Sequence, residues 1–352
     1  MSTRLRAPFP YFGGKAAIAT QVWQWLGEVD TYVEPFFGSG AVLLQAPWPS
    51  TRLETVNDVD AMLANFWRAL ADDPEAVAHH ADWPVNEVDQ HARHAWLVGQ
   101  KASLQAQLEG DPDWYDAKIA GWWGWGICGW IGSGWCSGQG PWHVVDGELQ
   151  RTVSPMGNGI KRQRIHLGDG RGVQRQLVHL GGAGQGVQRK RVHLGNAGRG
   201  VQRKRVHVDG LMDWFRALAD RLRRVRVCCG DWERVLGPSV TYKHGVAGVF
   251  LDPPYGAARE RDIYAHDSLT VAQDVHAWCV ANGSHPLLRI VLCGYGEEHD
   301  SLCTQGWRTW RWRAQGGMGN QGHGRGRAHA QLETCWLSPA CQMPAQQELF
   351  PH

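Results

Sequence analysis

The sequence has no stretch of eighteen or more apolar residues, so it offers no candidate for a membrane-spanning helix. Its opening, Met1 to Lys15, holds no apolar core of the kind a secretory leader needs. The nine cysteines form no CxxC pair and no regular framework. That excludes a zinc ribbon and a disulfide scaffold, and leaves free thiols in a reducing compartment; a cytoplasmic location is expected. Cys228 and Cys229 read as buried strand residues. No GKS or GKT follows a glycine turn, which excludes a P-loop nucleotide hydrolase. Net charge is also scarce, at +2, and by itself names no partner.

What is present begins with size. At 352 residues, 43 % of them hydrophobic, the chain can bury one large core or two modest ones. Charge is uneven along it. Between Lys161 and His207 there are twelve Lys/Arg and one acid, Asp169. A basic stripe on a near-neutral protein suits a polyanion. Tryptophan is abundant, and Trp122, Trp123, Trp125, Trp130 and Trp135 cluster among glycines. Such a cluster reads as core before it reads as a base-stacking surface.

The hydrophobic pattern alternates between helix and strand. Helices are expected over 14–26, 41–46, 60–70, 210–223 and 269–281, with further helix over 73–120 broken near Pro84 and Pro112. Strands are expected over 31–36, 52–56, 224–229, 246–251 and 287–293, with two more near 307–312 and 332–337. This rhythm predicts an α/β fold: a Rossmann-like domain with a mixed, mostly parallel sheet. It lapses in the middle of the chain. Gly172-Val173-Gln174-Arg175 recurs at Gly186 and at Gly200, a period of 14 residues, with His179, His193 and His207 at a fixed offset. The period matches no helical solenoid and reads as short basic strands joined by glycine turns, or as an extended basic arm. The expected division is a catalytic domain over 1–120 and 209–352, carrying an inserted basic module over 121–208.

Two segments carry chemistry. Glu34-Pro35-Phe36-Phe37-Gly38-Ser39-Gly40 ends a strand in a glycine turn, where backbone can approach a ligand closely. Asp58 follows after the next strand, where doubly wound nucleotide sites place an acid on ribose hydroxyls. Asp252-Pro253-Pro254-Tyr255 closes another strand. The Asp252 carboxylate and the Pro253 carbonyl are two acceptors held at fixed separation by a rigid turn, matching an exocyclic NH₂ with two donors. Tyr255 offers a ring on which a planar base can stack.

Taken in order, Tyr11-Phe12-Gly13-Gly14-Lys15, Glu34 to Gly40, Asn57-Asp58 and Asp252 to Tyr255 resemble the alpha group of DNA adenine N6-methyltransferases of phages and bacteria. The resemblance spans nearly the whole chain, with the insertion where that family carries target recognition. It implies S-adenosylmethionine as cofactor and double-stranded DNA as substrate. Tyr11 and Lys15 would contact the methionine end of the cofactor, Lys15 near its carboxylate. Glu34, Pro35, Phe36, Gly38, Ser39 and Gly40 would form the cradle, Asp58 would hold the ribose, and Asp231 would sit near the adenine. Asp252, Pro253, Pro254 and Tyr255 would hold a target base flipped from the duplex. Neither Cys228 nor Cys229 sits in a Pro-Cys motif, so cytosine-C5 chemistry is rejected. RNA adenine, cytosine N4 and a non-catalytic DNA-binding role on the same fold remain as alternatives.

Arg162, Arg164, Arg175, Arg189, Lys190, Arg191, Arg203, Lys204 and Arg205 are the expected phosphate contacts. Gln174, Gln188 and Gln202 are candidates for reading base edges. The repeat histidines lack cysteine partners at ligand spacing, and no metal is expected. The tail Gln346-Gln347-Glu348-Leu349-Phe350 resembles the short peptides that dock on bacterial sliding clamps.

Overall fold

The computed structural model describes residues 5–11, 13–47, 52–130, 135–136, 142–145, 148–151, 208–254, 270–312 and 333–342. Tyr255, the basic repeats with all nine expected phosphate contacts, and the clamp-like tail lie outside the described residues.

In chain order the elements begin with α1 (Ala19–Leu26), β1 (Thr31–Glu34) and β2 (Leu53–Asp58). Helices α2 (Ala61–Asp72), α3 (Pro74–Ala81), α4 (Glu87–Gly110) and α5 (Ala117–Gly129) follow, and β3 (Trp142–Val145) and β4 (Glu148–Arg151) form a separate antiparallel pair. The remainder is α6 (Val208–Leu222), β5 (Val225–Cys229), β6 (Ala247–Leu251), α7 (Val271–Asn282), β7 (Leu288–Tyr295), β8 (Arg308–Trp312) and β9 (Glu333–Leu337).

The helix starts follow from local chemistry. Asp60, Asp73, Asn86 and Asp116 each turn a side-chain oxygen onto an otherwise unpaired amide in the first turn of α2, α3, α4 and α5. Pro74 fills the first position of α3, where no amide hydrogen is needed. Three expectations shift. Helix α1 begins at Ala19 rather than residue 14, and the helix expected over 41–46 is a short 3-10 turn, Leu43–Gln45. The Trp/Gly segment assigned to the insertion begins inside α5, which packs against α2 and α3. Its Trp123 and Trp125 are buried, so that part of the segment is core.

The seven-stranded sheet has the order β5-β2-β1-β6-β7-β9-β8. The first five strands are parallel; β9 runs antiparallel to β7 and β8. The chain is thus mixed α/β with a mostly parallel sheet. Residues of the central strands alternate between two cores: Val249, Leu251, Ile290 and Leu292 on one face, Phe250, Val291 and Cys293 on the other. Full burial on both faces is what a central parallel strand requires.

This order has a functional consequence. From β1 the chain moves outward through β2 to β5, then returns to lay β6 on the other side of β1. The reversal opens a crevice beyond the carboxyl ends of β1 and β6, where open α/β sheets bind ligands. Glu34 ends β1 and Asp252 follows β6.

Candidate active site

The crevice gathers the sequence motifs. Phe37 N donates to the Asn57 carbonyl at 2.9 Å, and Asn57 Nδ2 donates to the carbonyls of Pro35 (3.2 Å) and Gly230 (2.9 Å). Gly230 N donates to the Asp58 carbonyl at 3.1 Å. One buried amide side chain therefore ties together the ends of β1, β2 and β5.

The glycine turn is shaped by close approach. Gly38 has φ +50°, and a Cβ there would lie 2.9 Å from the Tyr11 ring. Gly40 has φ +66°, and a Cβ there would lie 2.8 Å from the Phe37 ring. Only glycine meets both demands. Tyr11 thus lies against the turn, and Ser39 Oγ lies beside Gly14, which docks the first motif on the second. Trp67 Nε1 donates to the Gly38 carbonyl at 3.0 Å and holds the turn from α2.

Three acids face this region from the motifs. Asp58 accepts from Gly38 N and Asp60 N, each at 3.0 Å. Burial pushes its carboxyl up to about 7, against the pull of those two amides. Glu34 is buried, and its Oε2 accepts from Tyr32 Oη at 2.8 Å. Burial raises the Glu34 carboxyl well above the usual range; the Tyr32 hydroxyl opposes this and Asp252 adds to it. Asp252 meets the cation of the site: Lys15 Nζ stands 2.9 Å from Asp252 Oδ1 and donates to the Gly13 carbonyl at 2.8 Å.

The remaining expected residues are placed as follows. Pro35, Ser39 and Pro253 are buried, and Phe36 and Pro254 are half-buried. Phe36 stacks on Trp232 with ring centres 6.0 Å apart. Asp231 is exposed at the end of β5, where its Oδ1 accepts from Glu233 N at 2.9 Å and caps the 3-10 turn Trp232–Val235.

One functional candidate escaped the sequence reading. Glu333, at the start of β9, puts Oε2 3.6 Å from Lys15 Nζ. Its only signal in the sequence is an acid opening an otherwise apolar strand, Glu333-Thr334-Cys335-Trp336-Leu337. A cavity of about 440 Å³ lies elsewhere, lined by Arg68, Asp72, Leu108, Cys228 and Arg234 among others, and includes none of the motif residues. Among the described residues, no helix is long and apolar enough to cross a membrane.

Known proteins show the same likeness. The chain is 38 % identical over 65 residues to the DNA N-6-adenine-methyltransferase of Escherichia phage P1, covering 18 % of this chain and 8 % of that protein. It is 34 % identical over 83 residues to the DNA adenine methylase of Vibrio cholerae serotype O1, in both the Classical Ogawa 395 and El Tor Inaba N16961 strains. That match covers 23 % of this chain and 29 % of the relative, so the chain spans less than a third of the length of the curated proteins it matches. Residues 11–91, which hold Tyr11, Lys15, the glycine turn and Asp58, match the model of the D12 class N6 adenine-specific DNA methyltransferases, and over that segment the likeness read from the motifs is shown.

Proposed function

We propose that the chain is an S-adenosylmethionine-dependent DNA methyltransferase acting on N6 of adenine, built on a Rossmann-like domain. The observation that carries this is the meeting of Lys15 and Asp252, 2.9 Å apart, in the crevice between β1 and β6. It joins the strand-end Asp-Pro-Pro segment to the part of the chain that matches the family.

The cradle fits the cofactor. Gly38 and Gly40 hold a tight buried turn that sets Asp58 beside Tyr11 and Lys15, and the Asp58 carboxylate, with about four acceptor sites, accepts from the Gly38 and Asp60 amides. Asp58 would take the ribose hydroxyls, Tyr11 and Lys15 the methionine end, and Asp231 the adenine side. When bound, S-adenosylmethionine supplies an electrophilic methyl group on a sulfonium centre.

The chain's own part is positioning. Adenine N6 is a weak nucleophile because its lone pair is delocalised into the ring. Asp252 Oδ and the Pro253 carbonyl would each accept one N6 hydrogen, aiming the lone pair and drawing the nitrogen towards tetrahedral geometry. The Asp252 carboxylate also faces the positive charge that N6 gains during attack. Tyr255 would stack on the flipped base. The part of the 121–208 insertion that follows α5 would hold the duplex through Arg162, Arg164, Arg175, Arg189, Lys190, Arg191, Arg203, Lys204 and Arg205. The tail Gln346 to Phe350 would recruit a sliding clamp, and clamp pull-down unchanged after deleting 346–352 would dismiss that role.

The test is transfer of tritiated methyl from S-adenosylmethionine to unmethylated duplex DNA, followed by nucleoside mass spectrometry, with Asp252→Ala alongside. N6-methyladenine from the wild type and none from the variant is expected. N4-methylcytosine would change the substrate and keep the site; product on RNA alone would move the activity off DNA; no product on either would leave a binding protein.

A further inference from the structure

Glu333 belongs to none of the four motifs, yet it shares the cation of the site. Lys15 Nζ lies 2.9 Å from Asp252 Oδ1 and 3.6 Å from Glu333 Oε2, with side chains 3 %, 19 % and 12 % exposed. Strand β9 fixes Glu333, which pairs in register with Tyr295 of β7 on one side and Trp312 of β8 on the other. The four residues after it are fully buried. A carboxylate in such a strand is costly unless a cation or donors meet it. Lys15 meets it, from the far end of the chain.

The arrangement contains a conflict. If Asp252 accepts a hydrogen from a substrate amine, one of its oxygens must face that amine. In the structure Oδ1 faces an ammonium, which draws electron density from the whole carboxylate and weakens it as an acceptor. A second seat for Lys15 would relieve that, and less than an ångström separates its distances to the two carboxylates.

We propose that Glu333 is a positioning residue that draws Lys15 off Asp252 when a substrate amine engages, so that the lysine alternates between the two carboxylates. No bond is made or broken in the exchange; one ion pair lengthens as the other shortens. The chain from Glu333 to Lys15 to Asp252 also leaves two carboxylates on one cation. The surplus negative charge suits a nitrogen that becomes positive as it takes a methyl group. The inference rests on the reading of Asp252 as the amine acceptor.

Its test compares wild type, Glu333→Gln and Glu333→Asp in single-turnover methyl transfer with saturating S-adenosylmethionine and DNA. Glu333→Gln should slow the step by about tenfold or more at saturating cofactor; because Lys15 also serves the methionine end of the cofactor, some loss of cofactor affinity is expected, but smaller than the loss of rate. Glu333→Asp, keeping the charge, should recover part of the rate. Equal rates in all three, or a rate loss matched by an equal loss of cofactor affinity in both variants, would overturn the proposal. A second readout needs no activity: the pH dependence of Lys15 reductive methylation in the full chain, followed by peptide mass spectrometry. Glu333→Gln, by removing a nearby negative charge, should move that midpoint to lower pH. An unmoved midpoint would overturn the shared ion pair. A wild type that methylates nothing, with the midpoint moved, would sink the proposed activity and leave the Glu333–Lys15 pair standing.

Discussion

The Gly38 amide donates to Asp58 Oδ2 at 3.0 Å, so the glycine turn after β1 is held by the acid that ends β2. Burial lifts the Asp58 carboxyl from an ordinary 3.8 to about 7. A raised acid binds a proton in the native state where the unfolded chain has lost it, so stability from this group declines as pH climbs from about 4 to about 7 and is flat above. Ligand binding has the opposite sign. Hydroxyl donors need the ionised carboxylate, so S-adenosylhomocysteine should bind more tightly as pH rises through 7. Calorimetric titration from pH 6 to pH 8.5 should show that rise in the wild type. Asp58→Asn should bind weakly and without it; the same pH dependence in that variant would remove Asp58 from the ribose site.

Gly38→Ala tests the turn. Its φ of +50° disfavours any L side chain by about 1–2 kcal/mol, and the new Cβ would sit 2.9 Å from the Tyr11 ring. The variant should melt lower and bind S-adenosylhomocysteine poorly. Adding Tyr11→Ala removes the clash but leaves the φ penalty, so it should recover only part of the stability. Full recovery would mean that contact, and not backbone conformation, makes glycine necessary.

Arg221 tests the scaffold behind the crevice. From α6 its guanidinium grips both oxygens of Glu54 on β2 at 2.6 and 2.9 Å, and donates to the Leu43 carbonyl at 3.1 Å. All of this is buried. Arg221→Met removes the cation that grips both Glu54 oxygens, and breaking a buried ion pair from one side costs about 3–5 kcal/mol. Thermal denaturation should show a large drop, and the double variant Arg221→Met/Glu54→Leu should regain much of it. A double variant no better than the single one would assign the loss to packing.

The same contacts explain what could be read from the sequence. The strand followed by Asp252-Pro253 and the helix starts at Asp60, Asp73, Asn86 and Asp116 are local signals, carried by neighbouring residues. The run Ala41-Val42-Leu43-Leu44 reads as helix, but Arg221 takes the Leu43 carbonyl and the segment closes as a 3-10 turn. Trp123 and Trp125 look like part of an insertion because their glycine neighbours break the α/β rhythm. Yet a Cβ at Gly124 would lie 2.8 Å from Phe66, so that glycine lets α5 press against α2. Glu333 was invisible because its meaning is its partner, Lys15, which only the sheet brings near it.

The basic repeats supply the last prediction. Twelve Lys/Arg against one acid between Lys161 and His207 would neutralise phosphates and release counterions on binding. Each phosphate contact contributes about 0.9 to the slope of log affinity against log salt. Replacing Arg189, Lys190 and Arg191 by Gln should therefore flatten the slope by about 2.7 if all three touch the backbone, equally for every DNA sequence. Fluorescence anisotropy on duplexes between 50 and 200 mM salt measures it, with S-adenosylhomocysteine affinity as the control. Gln174, Gln188 and Gln202 should behave differently: if they read base edges, Gln→Ala at each leaves the slope alone and relaxes preference among sequences. An unchanged slope in the triple variant would show that the repeats face solvent and that the duplex is held elsewhere.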